Sequence, residues 1–82
     1  MLIDKKLQAK INGNKEHGDF AEIAFNLGIT TQAVSQAIAS GSGSLRVVNA
    51  IENFYNKRIR IKEIKEEVEK RLQERIAKIE NQ

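Results

Sequence analysis

The 82-residue chain offers few groups that could do covalent chemistry. It has one histidine, His17, and no cysteine, tryptophan or proline. Nucleophilic catalysis needs a base held beside a hydroxyl or thiol, and one histidine with no evident Ser/His/Asp set does not supply it. One histidine and no thiolate leave no metal cluster to build. The stretch Ser40-Gly41-Ser42-Gly43-Ser44 lacks the Lys-Thr or Lys-Ser that must follow a phosphate-binding loop. The chain is therefore expected to be no enzyme, and to carry no metal, cofactor or small-molecule ligand. What remains is hydrogen-bonding chemistry on one helix. With Val34 at the centre of the buried side, 100° per residue puts Gln32, Ser35, Gln36 and Ala39 on the opposite side. That side holds two amides, a hydroxyl and a methyl, with no charge.

The net charge of +3 is a weak pointer by itself, but its placement is informative. Residues 1–44 carry four Lys and four acids. Residues 45–62 carry Arg46, Lys57, Arg58, Arg60 and Lys62 against Glu52 alone, an excess of +4. Residues 63–82 mix five basic residues with six Glu, as a solvated helix face does. No stretch of 18 apolar residues occurs, and the first residues, MLIDKK, lack the apolar run and cleavage site of a secretory leader, so the cytoplasm is the expected address.

These groups must be positioned by helices, because the apolar spacing has the helical period and no strand pattern competes. Ile3, Leu7 and Ile11 predict a first helix from about Leu2 to Asn12, with Gly13 as its stop. Asp19 opens a second and stands three residues before Glu22, as in a capping box. Its apolar stripe is Phe20, Ile23, Ala24 and Leu27, and Gly28 ends it with the positive φ that glycine tolerates. Thr30 is the expected N-cap of a third helix, Thr31 to about Ser40, anchored by Val34, Ala37 and Ile38. Ser44 caps a fourth, Leu45 to about Asn56, whose buried face is Val47, Val48, Ile51, Phe54 and Tyr55. Arg58 to Lys62 reads as a connector or as the start of a long fifth helix carrying Ile61, Ile64, Val68, Leu72, Ile76 and Ile79. The expected architecture is all-α: four short helices plus a long C-terminal amphipathic helix. The expected division is 1–56 as a binding domain and 57–82 as a pairing element.

The segment Phe20-Ala21-Glu22-Ile23-Ala24-Phe25-Asn26-Leu27-Gly28-Ile29-Thr30-Thr31-Gln32-Ala33-Val34-Ser35-Gln36-Ala37-Ile38 resembles the helix-turn-helix of the phage Cro/repressor-like family. Ala24 and Gly28 stand four apart, Ile29 follows the turn, and Val34 falls six residues after the glycine. The likeness covers about twenty residues strongly and extends loosely from Met1 to Asn56. It implies a lambda-repressor-like helix bundle whose third helix enters the major groove of double-stranded DNA. On that reading Gln32 and Gln36 read bases, with Thr31 and Ser35 beside them, since an amide pairs bidentately with adenine. Thr30, Ser42, Ser44, Arg46, Lys57 and Arg58 would then contact phosphates. The family commonly has a polar residue where Phe20 stands. Phenylalanine cannot hold a phosphate, so that contact either passes to Lys15 or His17 or is absent.

The tail stripe covers eighteen residues in five steps, the 3.6 period of a straight helix, which argues against a long supercoiled zipper. Ile64, Val68, Leu72, Ile76 and Ile79 are expected to form a homodimer by short antiparallel or crossed packing, with two copies reading an inverted repeat. The implied function is a transcriptional regulator of phage or mobile-element type, nearer to Cro than to a full repressor. Two other readings use the same residues: a protein-interaction module, such as an antitoxin or phage adaptor, and a recombination accessory factor such as an excisionase.

Overall fold

Asp4 sets the start of the first helix, because its carboxylate accepts the Leu7 N–H at 2.8 Å. In the computed structural model, which describes residues 1–80, helix α1 runs Lys5–Asn14. Met1 to Ile3 are extended instead of helical, and they lie along the loop after the third helix. The Ile3 N–H donates to the Gly41 carbonyl at 2.8 Å and the Gly43 N–H to the Met1 carbonyl at 3.0 Å. Ile3, Leu7 and Ile11 are all buried, as their spacing predicts. Gly13 does not stop α1. The helix continues one residue further and closes when the Lys15 N–H bonds the Ile11 carbonyl.

Helix α2 spans Asp19–Leu27, α3 spans Thr31–Ser40 and α4 spans Leu45–Glu80. The N-cap of α2 is Gly18, at φ +90°, and Asp19 is the first helical residue. The capping box expected at Asp19 is therefore not formed, and the carboxylate is used elsewhere. Thr30 and Ser44 do act as side-chain caps, accepting the N–H groups of Ala33 at 3.2 Å and Val47 at 3.3 Å.

Among the described residues the architecture is an all-α bundle of four helices with a long last one, where five helices were expected. The expected fourth and fifth helices are one 36-residue helix. No Gly or Pro lies between Leu45 and Glu80, so nothing compels a break at Asn56. The alternation Arg58-Ile59-Arg60-Ile61 is accommodated within the helix, with Ile59 half-buried and Ile61 exposed. The core joins Ile3, Leu7 and Ile11 of the N-terminal segment and α1, Ile23 and Ala24 of α2, Val34 of α3, and Val48, Ile51 and Tyr55 of α4. Burying each large side chain contributes roughly 1.5–3 kcal/mol. Beyond Lys62 the helix leaves the bundle, and the molecule measures 58 × 24 × 18 Å.

The junction is held by a polar cluster. Asp19, only 3 % exposed, accepts on one carboxylate oxygen from the Glu16 N–H at 2.7 Å, the Tyr55 hydroxyl at 3.0 Å and the Arg58 guanidinium at 2.5 Å. Arg58 also donates to the Asn14 carbonyl at 3.1 Å and stacks 4.8 Å from the centre of the Phe54 ring. Burial by itself would push the Asp19 carboxyl up. The Arg58, Glu16 and Tyr55 hydrogen bonds and the Arg58 charge outweigh it, holding the carboxyl below its ordinary value. Burial, then the Asp19 hydrogen bond and charge, push the Tyr55 hydroxyl up. Among the described residues no buried side-chain polar atom lacks a partner.

Candidate nucleic-acid interface

Helices α2 and α3 are joined by Gly28, Ile29 and Thr30. Gly28 sits at φ +70°, where a side chain is strained, and its N–H returns to the last turn of α2. The Ile29 N–H bonds the Ala24 carbonyl at 3.0 Å, and its half-buried side chain packs against the core. Arg46 braces this turn from α4, its guanidinium donating to the Leu27 carbonyl at 2.5 Å. The bond satisfies a helix-end carbonyl that has no partner within α2.

On α3, Val34 is fully buried and Ala37 is buried, so the opposite side must face outward. Thr31, Gln32, Ser35, Gln36 and Ala39 are all exposed. The four expected base readers thus share one uncharged surface. At the N-terminal end of α3, Thr31 lines a shallow hollow with Lys15, His17 and Phe20. Near its C-terminal end, Gln36 lines a second hollow with Ser42, Ser44 and Val47. Two of the expected phosphate contacts therefore lie beside an expected base reader.

The remaining expected phosphate contacts are placed differently. The Thr30 hydroxyl caps α3 and the Ser44 hydroxyl caps α4, both as acceptors, which leaves their protons free to donate. The Ser42 carbonyl accepts from the Ser40 hydroxyl at 3.1 Å, and its N–H bonds the Ala37 carbonyl. Arg46 is exposed but partly engaged at the turn. Arg58, 22 % exposed, is engaged within the chain by Asp19, Glu16 and the Asn14 carbonyl. Lys57 lies with Lys62 and Lys65 on a groove between α2 and α4, one that no α3 residue lines. The basic residues of 45–62 are thus split between a brace (Arg46), an internal ion pair (Arg58), a groove that no α3 residue lines (Lys57 and Lys62) and the open surface (Arg60).

Sequence reasoning passed over two features. Phe25 stands on α2 at 85 % exposure, outside the apolar stripe and without cover. The Asp19–Tyr55–Arg58 cluster joins residues 36 and 39 positions apart, a separation with no local signature. Ile64, Val68, Leu72, Ile76 and Ile79, the expected pairing residues, are all exposed. Among the described residues no group of three or more His, Cys, Asp or Glu could hold a metal ion, and no helix is long and apolar enough to cross a membrane. No family model, curated protein or solved structure matches the chain.

Proposed function

We propose that this chain is a sequence-specific DNA-binding regulator of phage or mobile-element type that lays the outer side of α3 in the major groove. The observation that carries the reading is the make-up of that surface. Thr31, Gln32, Ser35, Gln36 and Ala39 are exposed together on a short helix whose buried side is fixed by Val34 and Ala37. Amides, hydroxyls and a methyl are the groups that distinguish base pairs at their major-groove edges. Lys15 and His17 at one end, and the serine loop 40–44 at the other, would flank the bases with phosphate contacts. A homodimer through the tail of α4 would present two such helices to an inverted repeat, as an operator requires.

Selection of bound duplexes from a random pool tests this directly. Recovery of an inverted repeat supports the reading, and equal recovery of all sequences sinks it. A log–log slope of affinity against salt near zero would remove phosphate binding altogether. The exposed tail and Phe25 favour one other reading, a protein-interaction module in which α4 captures a partner. A chain cut after Lys62 separates the two, because it keeps Arg58 and the core while losing Ile64, Val68, Leu72, Ile76 and Ile79. Weakened DNA binding with loss of self-association fits the regulator. DNA binding absent from the full chain as well as the cut one fits the module.

A further inference from the structure

From Ile61 onward, the apolar side of α4 is largely exposed among the described residues. Six apolar residues, Ile61, Ile64, Val68, Leu72, Ile76 and Ile79, line one side of it, each 44–72 % exposed. Their spacing is 3, 4, 4, 4 and 3 residues, a series that reads the same from either end with its midpoint at Lys70. Reversing the helix about that midpoint superposes apolar positions on apolar positions. Ile61 then meets Ile79, Ile64 meets Ile76, and Val68 meets Leu72.

Two further observations select the reversed arrangement over the parallel one. The first is steric. Ile23 and Leu27 of α2 wall a groove whose other side is Ala50, Phe54 and Ile61 of α4. At 100° per residue, Ala50 and Phe54 point in nearly the same direction as the stripe. Helix α2 therefore already occupies this side of α4 before Ile61, and it stands out by roughly one helix diameter, ~10 Å. In a parallel pair both copies of α2 would lie at the same end, wedged between the two α4 helices. In a reversed pair each α2 lies beyond the paired stretch.

The second is electrostatic. Residues 63–69 carry four Glu and one Lys, whereas 71–77 carry Arg71, Arg75 and Glu74. A parallel pair sets the acidic block against itself and the basic block 57–62 against itself. A reversed pair sets 63–69 against 71–77. The Glu67–Arg71 ion pair, at 2.7 Å, sits next to the midpoint, and its inverted copy would bring Arg71 towards Glu67.

We propose that a second copy of this chain covers the stripe, antiparallel and in the register that centres both helices on Lys70. The pairing itself does not depend on DNA. Its consequence for DNA rests on the function proposed above. Lys70 lies twenty residues beyond Ala50, ~30 Å along the axis, so the two bundles stand ~60 Å apart. That separation suits half-sites two helical turns apart, ~68 Å, better than one turn, ~34 Å.

The absence of native cysteine makes cross-linking a clean test. Ile61→Cys and Ile79→Cys change exposed positions outside the core, so the bundle survives either. Mixed, equilibrated and mildly oxidised without DNA, the two variants should give a disulfide dimer containing one of each, at several-fold the yield of either variant alone. Equal or greater self-linking of Ile61→Cys alone would overturn the register and point to parallel chains. Sedimentation of the unmodified chain as a monomer at tens of micromolar would overturn the pairing. Leu72→Glu should weaken association at least tenfold with the bundle still folded, and unchanged association would count against the stripe. Total failure to bind DNA would remove the proposed function and leave the cross-linked pairing intact. Selected half-sites one turn apart would contradict the antiparallel register.

Discussion

Arg58 and Asp19 meet 2.5 Å apart at the place where α4 leaves the bundle, tying the first residue of α2 to the fourteenth of α4. The Asp19 side chain is 4 % exposed and that of Arg58 is 22 % exposed, so water screens the pair only in part. Removing one partner would leave the other desolvated and unpaired. Arg58→Met is expected to destabilise the fold by roughly 3 kcal/mol, since it strands the Asp19 carboxylate beside Tyr55. A urea titration followed by helical circular dichroism would measure it. A loss below ~0.5 kcal/mol would show the pair to be ornamental.

The same carboxylate sets a pH dependence. The Asp19 pKa is lowered on folding, so the group stabilises the fold at pH values above the unfolded carboxylate range. That contribution is lost as pH falls through the lowered native value. Unfolding midpoints recorded from pH 6 down to pH 2 should therefore drop more steeply for the natural chain than for Asp19→Asn. Parallel curves would mean that Asp19 titrates alike in both states.

Gln36→Ala is expected to cost about 1–3 kcal/mol on the selected duplex and little on random DNA, which is the pattern of a lost base contact. Fluorescence anisotropy on both duplexes gives the comparison. A uniform loss on the two would reassign Gln36 to the backbone.

Lys15 and Lys57 should behave differently, because only Lys15 shares a hollow with α3. Lys15→Ala is expected to lower the salt slope of DNA binding by about one, and Lys57→Ala to leave it unchanged. The reverse result would move the DNA to the α2–α4 groove.

Gly28→Ala places a Cβ at φ +70°, in open space but in a backbone region that costs a side chain roughly 1 kcal/mol. Thermal unfolding should register that loss. A neutral outcome would mean that the turn relaxes to another conformation.

The local rules were readable in the sequence. Ile3, Leu7 and Ile11 gave a buried side by their spacing, Thr30 and Ser44 announced two helix starts, and Gly28 announced a stop. Each depends on residues within a few positions of one another. Gly13 misled because a glycine stops a helix only if the chain turns there. In α1 the turn waits until Lys15. Leu2 misled because its partner is the distant Ser42. Asp19 was the larger loss: its sequence position suits a cap, and only the fold brings Tyr55 and Arg58 to it. The candidate surface on α3 was legible because one helix displays all of it. The basic residues of α4 were not, since their count says nothing about which way each one turns.

The uninterrupted run from Leu45 to Glu80 makes α4 a shaft and not a tether. A residue inserted into a flexible linker alters only reach. One inserted between Arg60 and Ile61 would swing the apolar stripe by about 100° around the bundle and advance it by ~1.5 Å. The length of this stretch is therefore a phase angle written in residues. Insertions of one or two should be ruinous to whatever the stripe engages, while an insertion of seven, close to two whole turns, should nearly restore its aim.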